Sequence, residues 1–164
     1  MPSAKATVLA PALETKNGFE LLSAEQFSAL GIPWQEFLTK SIEAASRHLA
    51  TLTPEWKKNA RGQVEYAILK SDRHLTASTI LCPEFRLRFK ELLGPDLVVL
   101  VPDRFTVFVF PRRTGDFQKL GPAVAAIFEE SIYPASSEAF ELNENGMKAI
   151  GSLLISDEDA AASE

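Results

Sequence analysis

The sequence predicts an α+β fold: an antiparallel sheet made of two hairpins plus a C-terminal strand, with about three helices packed mainly on one face. Three observations predict it. Runs rich in Val, Ile, Phe and Tyr come in pairs joined by short polar turns, and strands joined that tightly are antiparallel neighbours. Helical stripes with marked ends fall between those pairs. The stretch LVVLVPDRFTVFVF, residues 97–110, is apolar on both faces. A surface strand would alternate apolar with polar residues, so this hairpin is central, or its second face meets another element or another subunit.

Taken in order, residues 1–16 read as a flexible arm, with one early Lys5 and a short apolar run broken by Pro11; they lack the profile of a signal peptide. Residues 17–156 form a single domain. An extended piece at 19–22 leads to Ser23, which can cap a helix with Gln26 as the return half of a capping box. Gly31 ends that turn, and Pro33 opens a long helix with its stripe on Phe37, Leu38, Ile42, Ala45, Leu49 and Leu52. Pro54 stops it. Val64, Tyr66 and Ile68 mark a strand, Ser71-Asp72-Arg73 a turn, and His74 to Leu81 the expected return strand. Pro83 opens a helix buried on Phe85, Phe89, Leu92 and Leu93, and Gly94-Pro95 closes it. The second hairpin spans 96–111. Beyond it Asp116 is the expected cap, and Pro122 should split the segment into a short turn and a helix over 122–132, because a mid-helix proline forfeits a hydrogen bond. A last strand turns at Asn145-Gly146, with room for one more short strand. The end, 157–164, reads as a disordered acidic tail, too poor in apolar residues to offset its ordering entropy.

Composition limits the function classes. Of 164 residues, 46% are hydrophobic and 24% charged, the balance of a soluble globular domain. The net charge is -5, and the tail acids Asp157, Glu158, Asp159 and Glu164 account for all but one unit of it. A nearly neutral body argues against a domain built to grip a phosphate backbone. The basic groups Lys57-Lys58-Arg61, Arg86-Arg88-Lys90 and Arg112-Arg113, with Trp56 beside the first, leave weak nucleic-acid binding as the third reading. One cysteine cannot form an internal disulfide and fits a reducing, cytoplasmic setting. No apolar run reaches the roughly 20 residues of a membrane span. No cofactor is expected, since the chain has no glycine-rich phosphate loop; it also has no Gly-x-Ser-x-Gly elbow. No metal is expected, since His48, His74 and Cys82 stand in no ligand spacing. His48 reads as a helix-flank residue. The sequence names no small molecule.

Two function classes remain in front. The first is a non-catalytic protein-interaction module, chaperone- or immunity-like by analogy of element order alone. Its contact would run through Phe105, Phe108 and Phe110, toward a protein partner or a second copy in a homodimer, with the N-terminal arm as the competing cover for that face. The second is a small hydrolase using Asp103, Arg104, His74 and Cys82, which needs these groups to converge in one pocket. Pro102-Asp103-Arg104 is also ordinary tight-turn chemistry. Cys82 precedes a helix start, where the macrodipole could lower a thiol pKa, although a buried structural role is the plainer reading.

The segments LGIPWQEFLTKSIEAASRHL and TASTILCPEFRLRFKELLGPDLVVLVPDRFTVFVFPRR carry a resemblance. With Leu30-Gly31-Ile32, then Ala77-Ser78, Ile80-Leu81 and Val101-Pro102, the chain resembles the C-terminal half of the bacterial YtpQ-like family of unknown function over roughly residues 20–143. The resemblance implies a fold relationship, with an Ala-Ser-x-(Ile/Leu)-Leu strand, and no known activity. That family tends to place an Asp two residues beyond Asp103, where this chain has Phe105.

Overall fold

Thr76, Thr79 and Ile80 bury themselves at intervals of three and four, and that spacing winds the chain between the two main strand pairs into a helix. The structure, a computed structural model, describes residues 1–15, 18–114 and 117–154. Its elements are β1 (Ala12–Thr15), β2 (Gly18–Leu21), α1 (Ala24–Ala29), α2 (Trp34–Thr51), β3 (Glu55–Lys58), β4 (Val64–Lys70), a 3-10 helix (His74–Leu81), α3 (Pro83–Leu93), β5 (Leu97–Leu100), β6 (Thr106–Pro111), α4 (Phe117–Glu130), β7 (Glu138–Asn143) and β8 (Gly146–Ser152). The expected cap Asp116 and the acidic tail lie outside the described residues.

The fold is α+β. A six-stranded sheet runs in the order β3-β4-β6-β5-β7-β8 with every neighbour antiparallel, and β1 and β2 form a separate two-stranded ribbon. The central pair is the apolar stretch itself, with Val98 opposite Phe110 and Leu100 opposite Phe108. Its two faces divide by the two-residue period of a strand. Val99, Val107 and Val109 pack with Leu49 of α2, with Ile80, and with Phe85 and Phe89 of α3. Val98, Leu100, Phe108 and Phe110 pack with Val124, Leu120 and Ile127 of α4.

Three expectations need correction. The strand expected at His74–Leu81 is the 3-10 helix, and β4 pairs instead with the upstream β3. A tight turn makes that hairpin: Asn59 Oδ1 accepts from the backbone N–H groups of Arg61 and Gln63, and Gly62 takes φ +79°, which a glycine adopts without strain. Pro122 does not split α4, which runs unbroken from Phe117 to Glu130. Proline deprives the helix of one N–H, and Val124 and Ile127 secure the rest against the sheet. Most importantly, α4 lies on the face opposite α2 and α3. Phe108 and Phe110 are therefore 8% and 0% exposed under their own chain, and the ground for expecting a second subunit on that face falls away.

Helix ends obey the sequence signals closely. Ser23 and Gln26 close a reciprocal capping box on α1. Pro83 opens α3 and Gly94, at φ +90°, ends it. At the end of α2 the Arg88 guanidinium donates to the carbonyls of Leu49 and Leu52, a cation set on the negative end of the helix dipole. Residues of the N-terminal arm have defined partners. Pro2 O accepts from Ala149 N–H at 3.0 Å, Lys5 N–H donates to Glu138 Oε1 at 2.8 Å, and Thr7 Oγ1 lies 2.6 Å from Ser136 Oγ.

Candidate functional site

The β1–β2 ribbon has two faces, set by its register. Ala12 opposes Leu21 and Glu14 opposes Phe19, so these four share one face. Ala12, Glu14 and Phe19 border a cavity of about 130 Å³ between the ribbon, the start of α2 and the 3-10 helix. Trp34, Phe37 and Leu38 supply the α2 wall, and His74, Leu75 and Ser78 the opposite one. Phe27 of α1 buttresses the aromatic side, with its ring centroid 5.7 Å from Trp34 and 5.2 Å from Phe37.

His74 stands where this cavity meets the end of the β5–β6 hairpin. Its ring centroid is 4.7 Å from each of Phe19, Phe105 and Tyr133. Its backbone N–H donates to Glu14 Oε1 at 2.8 Å, and Glu14 Oε2 pairs with the Arg73 guanidinium at 2.5 Å. Its Nδ1 is buried and has no hydrogen-bond partner among the described residues. Arg104 enters the same cluster with its guanidinium carbon 4.0 Å from the Phe19 ring centroid and 5.8 Å from that of Tyr133, a cation-π arrangement. Burial lowers the Arg104 pKa, against an opposing pull from Tyr133. The structure thus brings together His74, Arg104 and Phe105 of the residues singled out in the sequence.

The other two hydrolase candidates stand apart from this group in role. Asp103 Oδ1 accepts from Phe105 N–H at 2.9 Å, and the Asp103 backbone bridges to Pro134. Around it Arg104 N–H donates to Tyr133 O, and Ala135 N–H to Pro102 O. This is the chemistry of a woven bend. Cys82 caps the start of α3 but is only 4% exposed, with its Sγ 3.9 Å from Ile42 O. Burial pushes the thiol pKa up, so the effect expected from a helix start is outweighed.

A polar centre that sequence reasoning missed lies at His48, which is 5% exposed. Its Nε2 is 3.0 Å from Thr76 Oγ1 and 3.3 Å from Ser71 Oγ, and the two hydroxyl oxygens are 2.6 Å apart. Thr76 donates its proton to Arg73 O at 2.8 Å. The short contact between the hydroxyls then requires the Ser71 proton, since Thr76 has none left to share. With both hydroxyl protons committed, Nε2 must carry a hydrogen and donate. A serine beside a histidine suggests a nucleophile and its base, but here the imidazole is the donor. Burial first, and the Arg73 cation second, hold the His48 pKa below its ordinary value of 6.5. The signal was present in the spacing: His48 falls three residues after Ala45 and four before Leu52, on the buried stripe of α2.

Each basic group has at least one member with a local partner. Besides the Arg88 cap, Arg86 donates to Pro95 O at 3.2 Å, Lys57 pairs with Glu55 at 2.9 Å and Arg112 with Glu141 at 3.8 Å. Among the described residues no group of three or more His, Cys, Asp and Glu could hold a metal ion, and no helix is long and apolar enough to cross a membrane. No protein-family model, no curated protein and no solved structure matches the chain.

Proposed function

We propose that this chain is a non-catalytic binding module of the bacterial cytoplasm that takes a protein partner through its N-terminal layer, residues 8–34. One observation carries the reading. Of the ten large hydrophobic side chains exposed among the described residues, six belong to this layer: Val8, Leu9, Leu13, Leu21, Leu30 and Trp34. We read this concentration of exposed apolar side chains in one segment of the chain as a contact surface. The donor state of His48, the raised thiol of Cys82 and the turn role of Asp103 weigh against the hydrolase reading. The single cysteine supports a reducing compartment. Kinship with the YtpQ-like family is likewise a proposal, and the helix at His74–Leu81, where the resemblance implies a strand, counts against it.

The test is capture of partners by the tagged full chain beside two double variants. Leu21→Ser with Leu30→Ser should abolish a specific capture, while Leu87→Ser with Leu92→Ser, exposed on α3, should leave it intact. Capture indifferent to the first pair sinks the surface. Turnover of simple esters or phosphoesters that disappears in His74→Ala would restore the enzyme reading.

A further inference from the structure

We infer that the cavity beneath the β1–β2 ribbon is a small-molecule site for an uncharged, single-ring or similarly compact apolar compound bearing one hydroxyl, of the phenol class. This goes beyond the protein-binding proposal and does not depend on it. Size comes first. A dry engineered cavity of about 150 Å³ accepts benzene, and this one measures about 130 Å³. Its walls include the rings of Phe19, Trp34 and Phe37, suited to a flat apolar guest.

Polarity comes second. His74 and Ser78, both on the 3-10 helix, line the cavity. The buried His74 Nδ1 lacks a partner among the described residues. Buried polar atoms are nearly always satisfied, so an orphan on a residue that lines a cavity points to a guest that bonds there. A guest hydroxyl can bond an imidazole nitrogen as donor or acceptor, and the Ser78 hydroxyl can serve a guest in either role.

Charge comes third. The one carboxylate on the wall, Glu14, already holds the Arg73 guanidinium and the His74 N–H. It offers a cation no free oxygen, and no Lys or Arg among the described lining residues would pair a buried anion. An uncharged guest meets neither penalty. Access is short, because Leu9 and Trp34, which also line the cavity, are 42% and 37% exposed.

The experiment is fluorine NMR titration of the full chain with para-fluorophenol, fluorobenzene and para-fluorobenzoate. Saturable binding of para-fluorophenol is expected, about fivefold to tenfold tighter than fluorobenzene, the worth of one neutral hydrogen bond. The benzoate should not bind. His74→Phe keeps a ring among Phe19, Phe105 and Tyr133 but removes Nδ1, and should erase the phenol's advantage while leaving fluorobenzene unchanged. Should that variant not fold, Ser78→Ala and the ligand comparison on the native chain still decide. Ala12→Leu should fill the cavity and abolish binding of both neutral rings. No saturable binding of either, equal affinity for both, preference for the benzoate, or binding that survives Ala12→Leu would each overturn the inference.

Discussion

Thr76→Val is the sharpest probe of the hydroxyl network at the end of α2. The two side chains have nearly the same shape, and Thr76 is fully buried, so packing is preserved while one oxygen is removed. Three contacts go with it: the bond to Arg73 O, the acceptor for Ser71 and the nearer acceptor for His48 Nε2. The consequences are unequal. Arg73 O keeps the backbone N–H of residue 76 at 3.1 Å, and Ser71 is only partly buried, so water can reach it. His48 Nε2–H is left with Ser71 Oγ at 3.3 Å, long for a hydrogen bond. One buried donor poorly served costs about 1–3 kcal/mol. Urea denaturation of the two proteins measures the difference, and nitrogen NMR of the imidazole reads the tautomer directly. A loss below about 0.5 kcal/mol would make the network energetically idle. A native His48 protonated on Nδ1 and bare on Nε2 would refute the assignment of protons outright.

Four further outcomes are expected. Phe110→Ala should cost about 3–5 kcal/mol in chemical denaturation, as for other fully buried aromatics; a loss under about 1.5 kcal/mol would mean that α4 does not cover that face. His48, with its folded pKa below 6.5, favours folding in its neutral form, so its contribution is complete above about pH 6.5 and falls as pH drops toward the folded pKa; His48→Gln should flatten that part of the stability curve, and an unchanged slope would deny the burial effect. Cys82 should react with thiol reagents in proportion to unfolding, so that its labelling rate climbs with urea; fast labelling of the native chain would contradict its burial. For Glu138, burial would raise the pKa, but backbone and hydroxyl donors from Lys5, Thr7 and Ala6 outweigh it and hold it below 4.5; its stabilisation is present above about pH 4.5 and lost on acidification below that, and deleting residues 2–7 should lower stability at pH 7 more than at pH 3.5, the reverse order disproving the carboxylate's role.

How much was readable depended on which signals were local. The capping box at Ser23, the proline and glycine around α3, and the two-residue period of 97–110 are written into neighbouring residues, and each appears in the fold. The 3-10 helix was misread because Thr76, Thr79 and Ile80 are β-branched and favour strands on propensity; their burial spacing and the bonds from Thr76 Oγ1 to Arg73 O and Thr79 Oγ1 to Thr76 O hold the helix instead. Which face α4 covers was not legible, since an amphipathic stripe states that a helix must be covered but not by what. The same limit hid the site. His74 and Arg104 looked like members of a catalytic set, and only the tertiary structure places Phe19 and Tyr133 beside both.

The seat of the arm has a consequence for the order of assembly. Lys5 meets Glu138 and Thr7 meets Ser136, separations of 133 and 129 residues along the chain. During synthesis residues 1–7 leave the ribosome well before Ser136 and Glu138 are made. Residues 1–7 must therefore wait for almost the whole chain, and loop closure over that distance makes their docking a late event. Leu9 and Ala12, a few residues on, line the cavity. A nascent chain stalled before Ser136 would have neither Ser136 nor Glu138 there to receive the arm. A segment translated ahead of every strand and helix of this fold would then be the last to find its place.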